Sequence, residues 1–285
     1  MAFDLRSHLG KIVFERVVGA EGPKHHKRIH NTTGERWFAE GRPIRTVHAD
    51  ASMFVGGLRA LLLQSLHPLA MAGVAGHSGY RGDPWGRLQR TSYFIAVTTF
   101  GVANDAEAAI ARVKSVHERV KGTAADGRPY SAADPHLLRW VHLAEIDSFL
   151  NTYQRYGASP LDAEGRDGYV ADTAKVARAL GIADPPQNTA ELDEQLQAYR
   201  AELRGTAEAR SAARFLLLQP PLPSIARAPY AVLACASVAS LPSWARRPLR
   251  LPYLPLTEAT VVRAAGTGIV RTLRWITSQP PRSVA

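Results

Sequence analysis

The stretch that decides the fold is DPWGRLQRTSYFIAVTTFGVANDAEAAIARVKSVHERVKG, residues 83–122, which predicts two consecutive helices. The second helix is expected over about residues 105–121. Asn104 is its expected N-cap, with Glu107 in the matching capping-box position. The aliphatic residues of this helix recur at three- and four-residue steps, and His117 falls on the same stripe. We therefore expect His117 to point where the aliphatic residues point.

An imidazole among aliphatic side chains must form an internal hydrogen bond or bind a ligand. An unsatisfied buried polar group costs about 1–3 kcal/mol, so one of the two is required. A neutral imidazole nitrogen is also a good ligand for iron. Taken alone, a single histidine on an apolar helix face is more often a satisfied core residue than a ligand. His117 by itself leaves both interpretations open.

The preceding helix adds positive charge to the same region. Asp83 can cap this helix, and Arg87, Arg90 and Thr91 then share one of its faces. Arginines in the opening turns gain nothing from the helix dipole, which favours anions there. They either reach solvent and ordinary carboxylates or serve an anionic ligand. Haem propionates, or an oxygen-derived ligand on the iron, would satisfy a guanidinium, so together with His117 the two helices favour haem.

Several motifs in this chain occur in a recognisable order. They are GLRALLLQSLHP (57–68), GHS (76–78), DPWGRLQRT (83–91), HERVKG (117–122) and YSAADP (130–135) leading to WVH (140–142). This set resembles the haem b oxygenase family that includes latex-clearing protein (rubber oxygenase) and the MpaB-type oxygenases. The resemblance implies that His117 is the proximal ligand of the haem iron. It also implies that Arg87, Arg90 and Thr91 form the catalytic group on the distal side and contact the cofactor.

The chain departs from the family pattern at the distal side. Arg90 stands where latex-clearing protein has a lysine, and a guanidinium is a poor metal ligand. Residues 71–82 contain no clear match to the family's distal glutamate, and His77 is a candidate replacement by position alone. His142 is expected either to support the haem site or to be structural. The resemblance implies oxidative cleavage of a carbon–carbon double bond in a hydrophobic, isoprenoid-type substrate by dioxygen.

The coarse architecture is expected to be all-α, a single helical domain with a haem pocket between core helices. We divide the chain into an N-terminal extension, residues 1–45, and an MpaB/rubber-oxygenase-like catalytic domain, residues 46–285. Asp50 is expected to cap a helix from about Ala51, which Pro68 should kink or end. Further helices are expected over residues 135–153, 167–180, 190–204 and 257–276. No run of alternating strands and no repeat is found.

Amino-acid composition, cysteine count and net charge limit the classes of protein to which this chain can belong. The 285 residues are 46% hydrophobic, which predicts a globular fold, and the single cysteine, Cys235, excludes an internal disulfide. No apolar leader segment is found at the N-terminus, so a cytoplasmic location is expected. The net charge of +10 is dispersed and accompanied by no nucleic-acid-binding motif, so no specific nucleic-acid partner is expected.

A second expectation is peripheral membrane contact. Residues 215–218, 230–241 and 244–250 place aliphatic and aromatic groups beside Arg246, Arg247 and Arg250. The apolar part is too short and too broken by prolines to span a bilayer, and burial in the core is the alternative interpretation.

Three functional classes follow. The first is a haem-dependent oxygenase. The second is a non-catalytic haem-binding carrier or sensor, and the third is a helical interaction protein without cofactor. Other chemistry has little support, because the chain has no P-loop, no His-Glu-x-x-His zinc motif and no Gly-x-Ser-x-Gly elbow.

Overall fold

The computed structural model describes residues 5–77 and 82–278, and Ser78 of the GHS motif and the first four residues of the chain lie outside these ranges. The expected all-α, single-domain fold is confirmed. The helices are α1 (Leu5–Val18), α2 (Gly22–Asn31), α3 (Pro43–His48), α4 (Met53–Gln64), α5 (Pro68–His77), α6 (Pro84–Phe100), α7 (Ala103–Arg119), α8 (Pro135–Tyr156), α9 (Ala163–Leu180), α10 (Thr189–Tyr199), α11 (Ala207–Leu218), α12 (Ser224–Ser240), α13 (Ser243–Leu249), α14 (Pro255–Thr257) and α15 (Arg263–Thr277). A π-helical turn, Glu258–Val262, precedes α15.

The helical pair α6 and α7 forms as expected, with one correction. The Asp83 carboxylate accepts a hydrogen bond from the Gly86 amide at 2.8 Å, which confirms the cap of α6. The second helix begins at Ala103, so Asn104 is not its N-cap. The Ala103 amide instead donates to the carbonyl of Glu35 at 2.7 Å. A backbone partner from a distant segment therefore satisfies the helix start in place of a local side chain.

Helices α4 and α8 form the centre of the core. Buried aliphatic and aromatic side chains from both helices meet there, among them Leu62, Leu63, Trp140 and Leu143. Gly56 permits the close approach, since a Cβ at this position would lie 2.7 Å from the Thr152 hydroxyl. The two backbones can therefore pack at short range.

The start of α4 differs from the expectation, whereas its end agrees with it. The helix begins at Met53 rather than Ala51, because the Asp50 carboxylate accepts from the Ser52 amide at 2.8 Å and also pairs with Arg274 of α15. The chain ends α4 before Pro68 and starts α5 at that proline, and the two helices are bent by 109°. Asp50 thus links the start of α4 to the C-terminal helix.

A short β-hairpin was not expected from the sequence. Strand β1 (Lys121–Thr123) pairs antiparallel with β2 (Pro129–Ser131) directly after α7. The turn contains Asp126-Gly127, and Gly127 has a φ of 85°, which glycine adopts without strain. Asp-Gly between two short segments is a hairpin signal, so this element was detectable.

The outer helices cover the core on several sides. Helix α1 packs against α6 and α15, and α3 packs against α6 and α9. Helices α9 and α10 occupy about the ranges expected for them, each starting at a side-chain cap, Asp162 and Asn188. The apolar segment within residues 230–241 is largely buried from Ala234 onward, as the core interpretation predicts.

Within the described ranges, no individual helix combines the length and the apolar character needed to cross a bilayer. Two helix pairs reach that length and composition only when joined. These are α4 with α5 and α12 with α13, and each pair is sharply bent at its break, by 109° and 118°.

Candidate active site

The expected site residues other than His142 lie toward the ends of three helices, α5, α6 and α7. Helices α6 and α7 pack on each other and are joined at Gly101 and Val102. Counted from this corner, Arg87 and His117 each lie roughly four turns along their helices. Both residues are therefore remote from the corner and close to the helix ends where α6 starts and α7 finishes.

His77 connects α5 to this region. Its Nε2 atom lies 3.1 Å from the carbonyl oxygen of Lys121, the residue that opens β1 just after α7. Only a short connection separates His77 from Pro84 at the start of α6. The end of α5 and the end of α7 are thus in contact, and the start of α6 follows α5 closely in the chain. The His77 side chain is exposed, at the rim of the region.

The three expected distal residues differ in exposure. Arg87 is half-buried, whereas Arg90 and Thr91 are exposed. The Arg90 guanidinium lies 3.2 Å from the Asp83 carboxylate, the residue that caps the same helix. This is the carboxylate pairing that the sequence left open. Arg90 must leave Asp83 before it can contact a ligand of the site, but both side chains are exposed to solvent, so the separation costs little.

His117 lies in the last turn of α7 and is half-buried. Burial lowers the pKa of its imidazole below the ordinary value, so the ring is neutral at pH 7. No hydrogen bond to either ring nitrogen is found among the residues that the structure describes. A neutral imidazole with a free lone pair is the form of histidine that ligates iron.

His142 is the second imidazole without a partner. Its Nε2 atom is buried and has no hydrogen-bond partner within the described part of the chain. Burial lowers the pKa of His142 to about 4. An unsatisfied buried polar atom is costly, and in native structures it frequently marks a place where a ligand or ion completes the bonding. His142 lies on α8, which packs against α5.

Glu145, one turn after His142, was not identified from the sequence. Burial raises the pKa of its carboxyl to about 7, so the group is close to half protonated at neutral pH. A carboxyl with such a pKa is suited to proton transfer. Nothing in the local sequence distinguishes Glu145 from an ordinary surface glutamate, because the shift arises from neighbours brought together by the fold.

His48 was also missed, but it has a structural role. Its Nδ1 lies 2.8 Å from the Thr99 hydroxyl of α6, and its Nε2 lies 3.2 Å from the Tyr169 hydroxyl of α9. Burial lowers the pKa of His48 to about 3. Both ring nitrogens are therefore satisfied, and the neutral ring joins α3, α6 and α9 at the end of α6 far from Arg87.

A third group of side chains could hold a metal ion. The donor atoms of His67, His136 and Glu202 all lie within 4.8 Å of one another. Glu202 is close to both rings, at 3.2 Å from Nε2 of His67 and 2.9 Å from Nε2 of His136. Burial raises the pKa of Glu202, but the hydrogen bonds from the two histidines outweigh it and leave the pKa lowered.

The same contacts satisfy His67 without a metal. His67 is buried, at 2% exposure, and bonded to Glu202. Its Nδ1 lies 3.5 Å from the Ala70 amide, an arrangement that leaves the proton on Nε2. The group therefore joins α5, α8 and the segment after α10 by hydrogen bonds.

Residues 45–275 of the chain match the protein family described as "ER-bound oxygenase mpaB/B'/Rubber oxygenase, catalytic domain". Two relatives are "Uncharacterized protein Mb2261" of Mycobacterium bovis (strain ATCC BAA-935 / AF2122/97) and "Uncharacterized protein Rv2237" of Mycobacterium tuberculosis (strain ATCC 25618 / H37Rv). Each is 28% identical over 111 residues, which cover 38% of this chain and 43% of the relative. The match thus spans less than half the length of these relatives.

No solved structure matches the chain significantly. The family match nevertheless covers most of the chain and includes α4 to α13 and nearly all of α15. It confirms the resemblance drawn from the ordered motifs. The protein therefore belongs to the oxygenase family of the mpaB/B′ and rubber oxygenase catalytic domains.

Proposed function

We propose that the protein is a haem b-dependent oxygenase that cleaves a carbon–carbon double bond of a hydrophobic, isoprenoid-type substrate with dioxygen. The observation that carries the proposal is His117, a neutral and half-buried imidazole without a hydrogen-bond partner among the described residues, in a chain of an oxygenase family. His142, with its unsatisfied Nε2, supports it.

These residues fit haem b better than a metal bound by protein side chains alone. A porphyrin supplies four ligands to iron, so the protein needs to provide only one or two axial groups. His117 would hold the iron, and Arg87 and Arg90 would pair with the propionates or the distal side. When bound, haem b supplies an iron centre that activates dioxygen.

The side chains of this chain have distinct tasks in such a reaction. The half-buried Arg87 donates hydrogen bonds to an oxygen atom that gains negative charge, and partial burial strengthens this interaction. Thr91 offers a hydroxyl donor one turn further along the same face of α6. His77 would contribute from the rim of the site, where its Nε2 atom lies 3.1 Å from the carbonyl oxygen of Lys121.

The partners of this reaction are dioxygen and a hydrophobic small molecule. A cytoplasmic location with peripheral membrane contact is part of the proposal. It is supported by large apolar side chains that remain exposed near the C-terminal region, among them Leu218, Ile225, Tyr253, Leu254 and Leu256. The family description includes ER-bound members, which agrees with a lipid-soluble substrate.

Oxygen consumption tests the proposed reaction. Haem-loaded protein is mixed with squalene or a short polyisoprene, oxygen uptake is recorded, and carbonyl products are identified by mass spectrometry. Arg87→Gln should lower the turnover rate by about a hundredfold, as removal of a donor to a developing oxyanion does. Arg112→Gln, an exposed arginine on α7, should leave the rate unchanged. Haem-loaded protein that consumes no oxygen with any such alkene would instead be a haem carrier or sensor.

A further inference from the structure

A shallow pocket of about 550 Å³, here called the cavity, is largely open to solvent and lies between the segment that joins α10 to α11 and the short helix α13. It is formed by different residues from those of the candidate active site. Three arginines, Arg210, Arg247 and Arg250, line it together with Trp244 and Ser243. The volume is within the range of about 300–1,000 Å³ that is usual for small-molecule sites.

The cavity is strongly positive. Among the residues described, no acidic side chain lines it, and the three arginine side chains make no hydrogen bond or ion pair. A fourth guanidinium, that of Arg200, lies 5.0 Å from the centre of the Trp244 ring. Like charges placed together around a concave surface repel one another, because such a surface concentrates the field. An anionic ligand removes this repulsion.

Arg246, in the same helix, differs from the cavity arginines because its guanidinium is buried and bonded to other groups of the chain. It is 4% exposed and its guanidinium donates to both carboxylate oxygens of Glu258, at 2.6 and 2.7 Å. It also donates to the backbone carbonyls of Ala239 and Leu241. Arg246 thus anchors α13 to the body, whereas Arg247 and Arg250 are left directed to the cavity.

The backbone around the cavity has two uncommon features, a left-handed conformation at Arg250 and a close approach at Gly205. Arg250 has φ 56° and ψ 38°, and it is the one non-glycine residue with positive φ in the described ranges. This position at a helix C-terminus usually holds glycine, and another residue costs roughly 1–2 kcal/mol. Opposite it, a Cβ on Gly205 would lie 1.9 Å from the Pro248 carbonyl oxygen, so only glycine permits this approach. Arg250 therefore adopts a backbone conformation that glycine would adopt with less strain.

We propose that this cavity binds a phosphate group carried on a larger molecule, as a phosphate monoester or diester. Planar guanidinium groups match phosphate oxygens in a bidentate manner, and three arginines, of which Arg247 and Arg250 are exposed, line this cavity. The volume exceeds what a free phosphate ion fills. Tyr253, Leu254 and Leu256 follow Arg250 closely and are 57–83% exposed, so apolar surface adjoins the arginines. A phospholipid headgroup and a soluble phosphorylated metabolite share this chemistry.

Two binding assays distinguish a phospholipid headgroup from a soluble phosphorylated metabolite. The full chain is sedimented with vesicles of phosphatidylcholine alone or with added phosphatidic acid, and glycerol 3-phosphate binding is measured by calorimetry. Arg250→Gly and Arg247→Gln are compared with Arg178→Gln, which removes the same charge from an exposed position on α9. Arg250→Gly is suited to the test because glycine favours the observed backbone, so the variant keeps its unfolding temperature.

The proposal predicts that Arg250→Gly and Arg247→Gln each weaken binding by about tenfold or more, while Arg178→Gln has no such effect. Binding of glycerol 3-phosphate as well as vesicles identifies a soluble phosphate ester. Binding of phosphatidic acid vesicles alone identifies a lipid headgroup. The proposal is overturned if neither probe binds. It is also overturned if vesicle binding falls equally in all three variants, because net charge would then account for it.

Discussion

At the scale of single residues, we expect the buried guanidinium of Arg246 to stabilise the C-terminal part of the fold. Its side chain is 4% exposed and that of its partner Glu258 is 12% exposed. Arg246→Met should lower the free energy of unfolding by about 3–5 kcal/mol, because it leaves the Glu258 carboxylate without its partner. Urea denaturation measures the loss. The double variant with Glu258→Gln should recover part of it, and a loss below about 1 kcal/mol in the single variant would contradict the assigned role.

Two buried groups on α8 give opposite pH dependences of stability. The pKa of His142 is about 4 in the folded chain and near 6.5 when unfolded, so its contribution is complete above pH 6.5 and is lost as pH falls toward 4. The pKa of Glu145 is raised from 4.5 to about 7, so its contribution is complete below pH 4.5 and is lost as pH rises to 7.

The two pH dependences are separable by substitution. The two contributions oppose each other where their pH ranges overlap. His142→Phe should therefore make the unfolding temperature rise less, or fall more, as pH increases from 4 to 6.5, and Glu145→Gln should make it rise more, or fall less, from pH 4.5 to 7. The stability contribution of His48 is also lost as pH falls, as that of His142 is. His48 is present in both variants, so it contributes equally to both melting curves. Thermal melts of cofactor-free protein across these pH values provide the measurement. Unchanged slopes in both variants would show that the two groups are not desolvated.

At the scale of elements, the contact between α4 and α8 is tested by neighbouring glycines. A Cβ on Gly56 would lie 2.7 Å from the Thr152 hydroxyl and 2.8 Å from a ring carbon of Phe149, whereas Gly57 has no atom within 4 Å. Gly56→Ala should therefore destabilise the fold by about 1–3 kcal/mol. Gly57→Ala should stabilise it by about 0.5–1 kcal/mol through helix propensity. Equal unfolding temperatures for the two variants would show that the helices are not in close contact.

Local signals at element ends explain what the sequence predicted and what it missed. The cap of α6 was predictable because Asp83 bonds to the amide of a residue only three positions away. The start of α7 was not, since the partner of Ala103 is the distant carbonyl of Glu35. The β-hairpin carried a readable Asp-Gly signal, whereas the His48 contacts join three helices and leave no local pattern.

At the scale of the whole molecule, the contact between His77 and Lys121 joins the end of α5 to the segment just after α7, the helix that carries His117. Motif order predicted the family and the all-α fold, and it named α5, α6 and α7 as the elements of the site. It left the pairing of Arg90 with a carboxylate open without naming Asp83, and it did not predict that burial would raise the pKa of Glu145. Both depend on which atoms meet after folding. The role of His117 as a haem ligand remains a prediction.

The central claim is tested most directly by the ultraviolet–visible spectrum, with haem quantified, of the wild-type protein and His117→Ala expressed with adequate haem. His26→Ala, an exposed histidine on α2, is the matched control. We predict about one haem b per chain and a Soret band in the wild type and in the control. The band should be lost or strongly shifted in His117→Ala. A colourless wild type, or a Soret band that His117→Ala leaves unchanged, would contradict the assignment.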